Sequence, residues 1–134
     1  MISVTGQYAI RAVVYLAEVQ GECKTTAGRI AAHVGVPANY LAKILHALVH
    51  AGILDSARGP HGGFRLLRPA GDLMLAEVLA PFEDTHVREC VLNRTDCPHG
   101  PGCHSRSRCL ALSEEIDLFL RATSIADLAG CTDV

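Results

Sequence analysis

Long apolar runs, a signal-peptide pattern and a high content of charged residues are all missing from this sequence. No stretch approaches the roughly 20 apolar residues that a membrane-spanning helix requires, so we expect no membrane partner. Residues 1–7 have neither the basic start nor the apolar segment of a secretory signal, which predicts a cytoplasmic protein. Charged residues make up 19% of the chain, below the average for soluble domains, and this hints at surface buried against another subunit.

Recognisable catalytic motifs are missing as well. The sequence contains no P-loop, no arrangement typical of a Ser/His/Asp triad and no internal repeat. We therefore predict a protein that is not an enzyme and has no small-molecule substrate. A redox or electron-carrying enzyme is the competing class, and it is disfavoured because no substrate-pocket signature accompanies the cysteines.

The net charge of −2 is unevenly distributed along the chain. Residues 1–68 hold seven Lys/Arg and three Asp/Glu, a net charge of +4, whereas residues 69–134 hold five and eleven, a net charge of −6. Ordinary surface variation could produce such a difference, but a basic half also suits a nucleic-acid reader. We therefore expect a DNA-binding domain at 1–68 and a control and dimerisation region at 69–134.

The first half shows three helical patterns followed by a hairpin pattern. Apolar residues recur at spacings of three and four in 6–19, 27–34 and 38–51, with the clearest periodicity in the last of these ranges. Two short apolar segments then flank a Gly/Pro-rich tip at 58–63, which predicts a β-hairpin. Helices followed by a hairpin in this order are typical of a winged helix-turn-helix.

The second half is less regular. Apolar spacing predicts a short helix near 75–82, a long helix over about 105–123 and a final helical turn at 125–128. Prolines and glycines exclude a continuous helix or a central strand over 90–103. The predicted fold is mainly α with a small β-hairpin, a winged helix-turn-helix joined to a long C-terminal helix.

Candidate DNA-contacting residues fall at the start of the third predicted helix and at the hairpin tip. A recognition helix inserts its first residues into the major groove, where Asn39, Tyr40 and Lys43 can contact bases or phosphates. Arg58 and His61 lie at the tip, which a wing brings to the DNA backbone or minor groove. For Tyr40 the alternative is packing against the first helix, and for Lys43 it is simple solvation.

Thr26 is a further candidate, placed just before the second predicted helix. Its hydroxyl can cap that helix and can also reach a phosphate. Capping alone is the preferred interpretation.

Four cysteines occupy the irregular segment and its end, with the spacing Cys90-x6-Cys97-x5-Cys103-x5-Cys109. These gaps are longer than the C-x2-C pairs of ordinary zinc sites. Thiolates spread over a Gly/Pro-rich loop can surround something larger than one ion, and soft sulfur ligands suit iron–sulfur clusters. The segment therefore predicts an iron–sulfur cluster site that controls the DNA-binding part.

Two alternatives to a cluster stay open for these cysteines: a zinc ion, or redox disulfides without metal. His99 and His104 lie among the cysteines and could also act as ligands. Cys23 and Cys131 lie elsewhere and are expected to be bystanders.

Taken together, these segments resemble the iron–sulfur cluster regulator family of bacterial winged-helix transcription regulators. The matching stretches lie in the first and third predicted helices, the hairpin and the C-terminal end: 6–9, 36–45, 48–54, 56–64 and 123–128. Nearly the whole chain is covered, and the Arg-Gly-Pro-x-Gly-Gly pattern of the wing is specific to this family.

The resemblance implies a homodimer joined through the long C-terminal helix and bound to a palindromic double-stranded DNA operator. It implies a cluster, [2Fe-2S] in preference to [4Fe-4S], held by three cysteines of each subunit. In the family's register these are Cys90, Cys97 and Cys103, and Cys109 is an extra; Cys97, Cys103 and Cys109 form an alternative triplet.

The sequence departs from the family at two positions that bear on the fourth ligand. Arg106 occupies the place where many members carry a histidine, and Gln7 the place of an aspartate ligand in some members. Cys109, His104 or a residue of the first helix could supply this ligand. The predicted function is a cluster-dependent transcription regulator that senses cluster status, redox state or nitric oxide. The alternative is a zinc-binding or metal-free repressor with thiol-based or no sensing.

Overall fold

Six α-helices, one short 3₁₀ helix and one β-hairpin make up the computed structural model, which describes residues 2–19, 24–60, 62–83 and 103–130. The elements are α1 (Val4–Glu18), α2 (Ala27–Val34), α3 (Ala38–His50), β1 (Leu54–Ala57), β2 (Gly63–Leu66), a short 3₁₀ helix (Ala70–Asp72), α4 (Leu75–Leu79), α5 (Arg106–Ala122) and α6 (Ile125–Ala129). His61, Cys90 and Cys97, and most of the predicted irregular segment, lie outside the described residues.

Local capping residues explain where the first helices begin and end. α1 begins at Val4, two residues before the predicted start, because the Ser3 hydroxyl accepts a hydrogen bond from the Gly6 N–H at 3.0 Å. α2 has the predicted bounds, with Thr26 as its N-cap and Gly35 in the left-handed conformation at its end. α3 follows Pro37 and has no side-chain cap at its start.

The hairpin is tied to the segment that precedes α2. β1 and β2 pair antiparallel, with Asp55 opposite Arg65. Thr25 adds a bridge to Phe64 through two backbone hydrogen bonds of 2.8 and 3.0 Å. Gly63 permits this approach, because its φ is +137° and a β-carbon there would collide with the Thr25 backbone.

The core surrounds α1, which packs against α2, α3, α4 and α6. Its buried apolar side chains come from the six α-helices, from both strands and from Ile53 and Leu73, which lie between elements. The largest fully buried ones include Ile30, Leu41, Leu45, Leu48, Leu54, Leu73, Leu79 and Ile125. One continuous cluster thus joins the helix-turn-helix to the C-terminal elements.

The C-terminal elements return to the start of α4. Leu75 N donates to Thr123 O at 3.0 Å, and Ile125 N donates to Leu73 O at 2.8 Å. Ser124 and Asp127 cap α6 reciprocally, as in a capping box. These bonds fix the C-terminal end of α5 against α4.

The predicted fold class is confirmed: a mainly helical chain with one two-stranded antiparallel hairpin and the order of a winged helix-turn-helix. The long C-terminal helix is present as α5, 17 residues long. Among the described residues, no helix is both long and apolar enough to span a membrane.

Candidate functional site

α3 has one buried face and one exposed face. Leu41, Ile44, Leu45 and Leu48 are buried in the core. The opposite face exposes the polar side chains Asn39, Lys43, His46 and His50. Because these four residues are spaced by three, four and seven positions, they form one polar surface along the helix.

The start of α3 is held by contacts of its own residues. Asn39 Oδ1 accepts a hydrogen bond from the Tyr40 N–H at 3.0 Å. The Tyr40 hydroxyl lies 2.9 Å from Thr5 Oγ1, and the Tyr40 ring meets the Tyr8 ring edge-on at 6.0 Å. Tyr40 therefore packs against α1, the alternative foreseen from the sequence, while 39% of its surface stays exposed.

Lys43 and Arg58 are exposed cations. Within the described ranges neither forms an ion pair, since the salt bridges found there involve other residues. Arg58 follows β1 directly and precedes a turn in which Gly62 N donates to Gly59 O at 2.9 Å. Both positive charges are thus free to meet an anionic ligand.

The hairpin lies beside the polar surface of α3. The imidazole of His46 contacts the ring of Phe64 on β2, with centroids 6.0 Å apart in an edge-on arrangement. Since Lys43 is one helical turn from His46, the α3 surface and the hairpin form neighbouring parts of one face.

Thr26 is exposed, and its hydroxyl accepts a hydrogen bond from the Arg29 N–H at 3.3 Å. The predicted capping role is therefore present. Arg29, one turn into α2, is exposed too.

An ionic cluster at the base of the hairpin was not foreseen from the sequence. Asp55 Oδ2 contacts Lys24 Nζ at 3.0 Å and Arg65 Nε at 3.3 Å. The hydrogen bond from Lys24, aided by the nearby Arg65, lowers the pKa of Asp55 below its ordinary value of 3.8. The pair of Asp55 and Arg65 could have been predicted from the sequence if the register of the two strands had been assumed, because the two residues lie opposite each other. Lys24 could not, because only the tertiary fold brings it to this site.

Cys103 and Cys109 are the two candidate metal ligands that the structure describes. Cys103 lies in a turn three residues before α5 begins, and Cys109 lies in the first turn of that helix. Both side chains are half-buried, and neither forms a disulfide within the described ranges. A three-residue metal-binding group is likewise absent from residues 2–19, 24–60, 62–83 and 103–130, which omit Cys90 and Cys97.

The candidate fourth ligands, and Arg106 where the sequence departs from the family, differ in their surroundings. His104 is exposed in the turn before α5, and Arg106 is exposed at the helix start. Gln7 is exposed on α1, and its side-chain amide donates to Ile2 O at 3.1 Å. Cys109 is the one sulfur among these groups, so its donor chemistry fits a cluster site best.

α5 exposes apolar side chains along most of its length. Leu120 is its one buried residue, whereas Leu112 is 48% exposed and Phe119 54% exposed. Leu112, Ile116 and Phe119 lie at helical spacing on one face, as the sequence predicted. Among the described residues of one subunit, no apolar partner covers this face completely.

A model of the Rrf2 family, described as an iron-dependent transcriptional regulator, matches residues 2–130. The HTH-type transcriptional regulator IscR of Xenorhabdus nematophila is 31% identical over 96% of this chain and 79% of its own length. These matches confirm the resemblance drawn from the sequence. The family's description is that of a regulator of transcription.

Solved structures of similar proteins share the fold. IscR of T. potens superposes with a TM-score of 0.76 at 22% identity, covering 99% of this chain and 88% of that protein. CymR, the global cysteine regulator of B. subtilis, superposes with a TM-score of 0.78 at 25% identity, covering 99% and 98%.

Proposed function

Since this chain belongs to the Rrf2 family of transcriptional regulators, we propose that it reads an operator through α3 and the hairpin and that an iron–sulfur cluster controls this reading. The roles of individual residues below are part of that proposal. The observation that carries it is the contact of His46 with Phe64, which sets the exposed polar surface of α3 beside the hairpin.

The chemistry of this face suits DNA. Asn39 can pair with an adenine edge and Lys43 with guanine or a phosphate, while Arg58 lies where a wing meets the backbone or minor groove. His61 at the hairpin tip and the exposed ring of Tyr40 complete the proposed surface. Thr26 lies at the N-terminus of α2, where the backbone N–H groups of the helix favour a phosphate.

The proposed cluster site uses Cys90, Cys97 and Cys103, with Cys109 as the preferred fourth ligand. The two described thiols fit this assignment, because both are partly shielded from water near the start of α5. A cluster bound there would bond to these cysteine sulfurs, so its loss or a change in its charge would change the bonding at Cys103 and Cys109. [2Fe-2S] is preferred to [4Fe-4S], and zinc is the alternative metal.

The proposed assembly is a homodimer on a palindromic operator. The support is the exposed apolar face of α5, which a second copy of the helix would cover. Two copies related by two-fold symmetry would present two reading faces to two half-sites.

The described elements offer a packed route between Cys103 and the reading face. Cys103 stands just before α5, α5 packs on α4, and α4 packs on α1, which in turn contacts α3. A change in bonding at Cys103 therefore acts on elements that are connected by direct packing. Control requires that the two states differ in affinity for DNA.

Anaerobic purification of the full chain tests the cofactor. We expect a coloured protein that contains iron and acid-labile sulfide and loses its colour on exposure to oxygen or nitric oxide. A colourless protein with stoichiometric zinc would contradict the cluster and favour the alternative metal.

Two cysteine variants refine this test. Cys103→Ala should lose most of the iron, because Cys103 belongs to both of the cysteine triplets that the sequence offers. Cys109→Ala should keep iron if it is an extra residue and should lose stability or shift the reduction potential if it is the fourth ligand. Equal iron content in the wild type and in Cys103→Ala would remove Cys103 from the site.

Thiol-based sensing is the second candidate, and the likeness to CymR, a cysteine regulator, favours it. In that case the purified protein would be iron-free. Its DNA affinity would then depend on a reductant and on the cysteines, and not on iron.

A further inference from the structure

The first turn of α1 lacks the acid that usually completes such a helix start. Ser3 caps the helix, and in a capping box the third helical residue is Glu or Gln, whose side chain returns to the N–H of the cap. Here that third residue is Gly6, and the first turn contains no acid. One of the two capping positions is therefore empty within the helix itself.

Glu83 fills this position from a distant part of the chain. Its Oε1 accepts a hydrogen bond from the Ser3 N–H, although the two residues are 80 positions apart. Its carboxylate also lies at the positive end of the α1 dipole, which favours a negative charge. Glu83 follows α4 and is the last residue described before the segment with Cys90 and Cys97.

Gly6 makes room for that carboxylate. A β-carbon at position 6 would lie 2.7 Å from Glu83 Oε1 and 2.8 Å from Leu79 Cδ2. Any other residue at this position would therefore displace the ends of both side chains. Leu79 is fully buried, so we expect the Glu83 carboxylate to move further.

The same turn of α1 holds the start of α3 on its other side. Thr5 Oγ1 meets the Tyr40 hydroxyl at 2.9 Å, and Tyr8, one turn later, meets the Tyr40 ring. α3 has no side-chain cap of its own and no acid in its first turn. Beside the buried Leu41, these contacts with α1 hold the start of α3.

We propose that Glu83 is a positioning residue for DNA reading: it fixes the first turn of α1, and through Thr5 and Tyr40 that turn sets the start of α3. Glu83 thus controls operator affinity without touching DNA. The effect on affinity rests on the proposed function, but the effect on α3 does not. Because the Tyr40 hydroxyl is bonded to Thr5 of α1, only the ring of Tyr40 is available to contact DNA.

Hydrogen exchange of the full-length protein without DNA tests the linkage directly. The reporter is the backbone amide of Leu41, which donates to Pro37 O in the first turn of α3. Glu83→Ala and Gly6→Ala should each speed its exchange by roughly three- to tenfold, the range expected for loss of one hydrogen bond. Glu83→Gln, which keeps an acceptor oxygen, should fall between them and the wild type.

Glu114→Ala is the matched control, since Glu114 is an exposed acid on α5, away from α1. Tyr40→Phe should itself speed exchange, and adding Glu83→Ala to it should change little. Equal exchange in Glu83→Ala and Glu114→Ala, or an undiminished effect of Glu83→Ala in the Tyr40→Phe background, would overturn the linkage. If Glu83→Ala fails to fold, Glu83→Gln and Gly6→Ala supply the same comparison.

DNA binding is measured on the same variants with a labelled duplex from upstream of the protein's own gene and a scrambled duplex of equal length. Glu83→Ala should weaken binding to the first duplex in proportion to the exchange effect, whereas Glu114→Ala should not. If the wild type does not prefer the upstream duplex, this result contradicts the proposed function. Hydrogen exchange still decides whether Glu83 positions the start of α3. Faster exchange with unchanged affinity would limit Glu83 to a structural role.

Discussion

Arg58 is exposed and directly follows β1, where the hairpin turns. If it contacts a phosphate, Arg58→Ala should weaken operator binding several-fold and reduce the slope of log affinity against log salt by about 0.9. Fluorescence anisotropy at several salt concentrations measures both quantities.

Arg121→Ala is the control for Arg58→Ala, because Arg121 is an exposed arginine near the end of α5. The phosphate contact would be ruled out if the Arg58→Ala protein kept the affinity and the salt slope of this control.

Asp55 predicts a dependence of stability on pH. Its pKa is lowered first by the hydrogen bond from Lys24, so its contribution is fully present above the ordinary value of 3.8 and is lost as pH falls through the lower folded value. Asp55→Asn should therefore lower the melting temperature near neutral pH, and the difference from the wild type should shrink below pH 3.8.

Thermal unfolding followed by circular dichroism across this range measures the Asp55 effect. Asp72→Asn is the comparison, since Asp72 is exposed and has no cation partner in the part of the chain that the structure describes. A constant difference between wild type and Asp55→Asn at every pH would mean that the ion pairs do not contribute.

Single side chains show where sequence reasoning reached its limit. Asn39 and Lys43 could be placed on the exposed face of α3, because helical periodicity alone defines that face. Packing of Tyr40 against the first helix was foreseen as an alternative, but its partner Thr5 was not. The Tyr40–Thr5 and Glu83–Ser3 pairs join residues 35 and 80 positions apart, and periodicity carries no information about such pairs.

At the scale of the elements, the link between the hairpin and the segment before α2 depends on Gly63. Gly63→Ala would force a side chain into a φ of +137° and against the Thr25 backbone. Backbone strain alone should lower the unfolding free energy by about 1 to 3 kcal/mol. The collision should also detach the hairpin from the segment before α2.

Chemical denaturation measures the cost of Gly63→Ala, and Gly28→Ala is the control. Gly28 lies in α2 with open space around its α-carbon, so alanine there should stabilise by up to about 1 kcal/mol. Similar stability changes at the two glycines would show that the Thr25 bridge is unimportant.

Helix bounds were well predicted where the ends are set by local caps. Thr26 and Gly35 bracket α2 as expected, since capping and left-handed glycine are properties of a few neighbouring residues. The bridge of Thr25 to Phe64 was missed because sequence periodicity does not reveal a third partner for a two-stranded hairpin.

At the scale of the whole molecule, the unequal burial of α5 indicates an assembly. The helix packs on α4 and buries Leu120, but it exposes Leu112 and Phe119. The sequence predicted the apolar face of α5 from its periodicity. The contacts of α6 with α1 could not be predicted in this way, because they join residues near opposite ends of the chain.

The assembly is tested by placing one charge on this face and one beside it. Phe119→Asp should convert a dimer to a monomer, because an ionised carboxylate buried in an apolar interface without a partner is strongly unfavourable. Leu118→Asp is a demanding control: Leu118 is the adjacent residue and is 65% exposed, but it points about 100° away around the helix. Sedimentation velocity should show a monomer for the first variant and a dimer for the second. Since two joined reading faces bind two half-sites together, Phe119→Asp should also reduce operator affinity far more than Leu118→Asp. If both variants stay dimeric, the subunits must meet on a surface other than the face of Leu112 and Phe119.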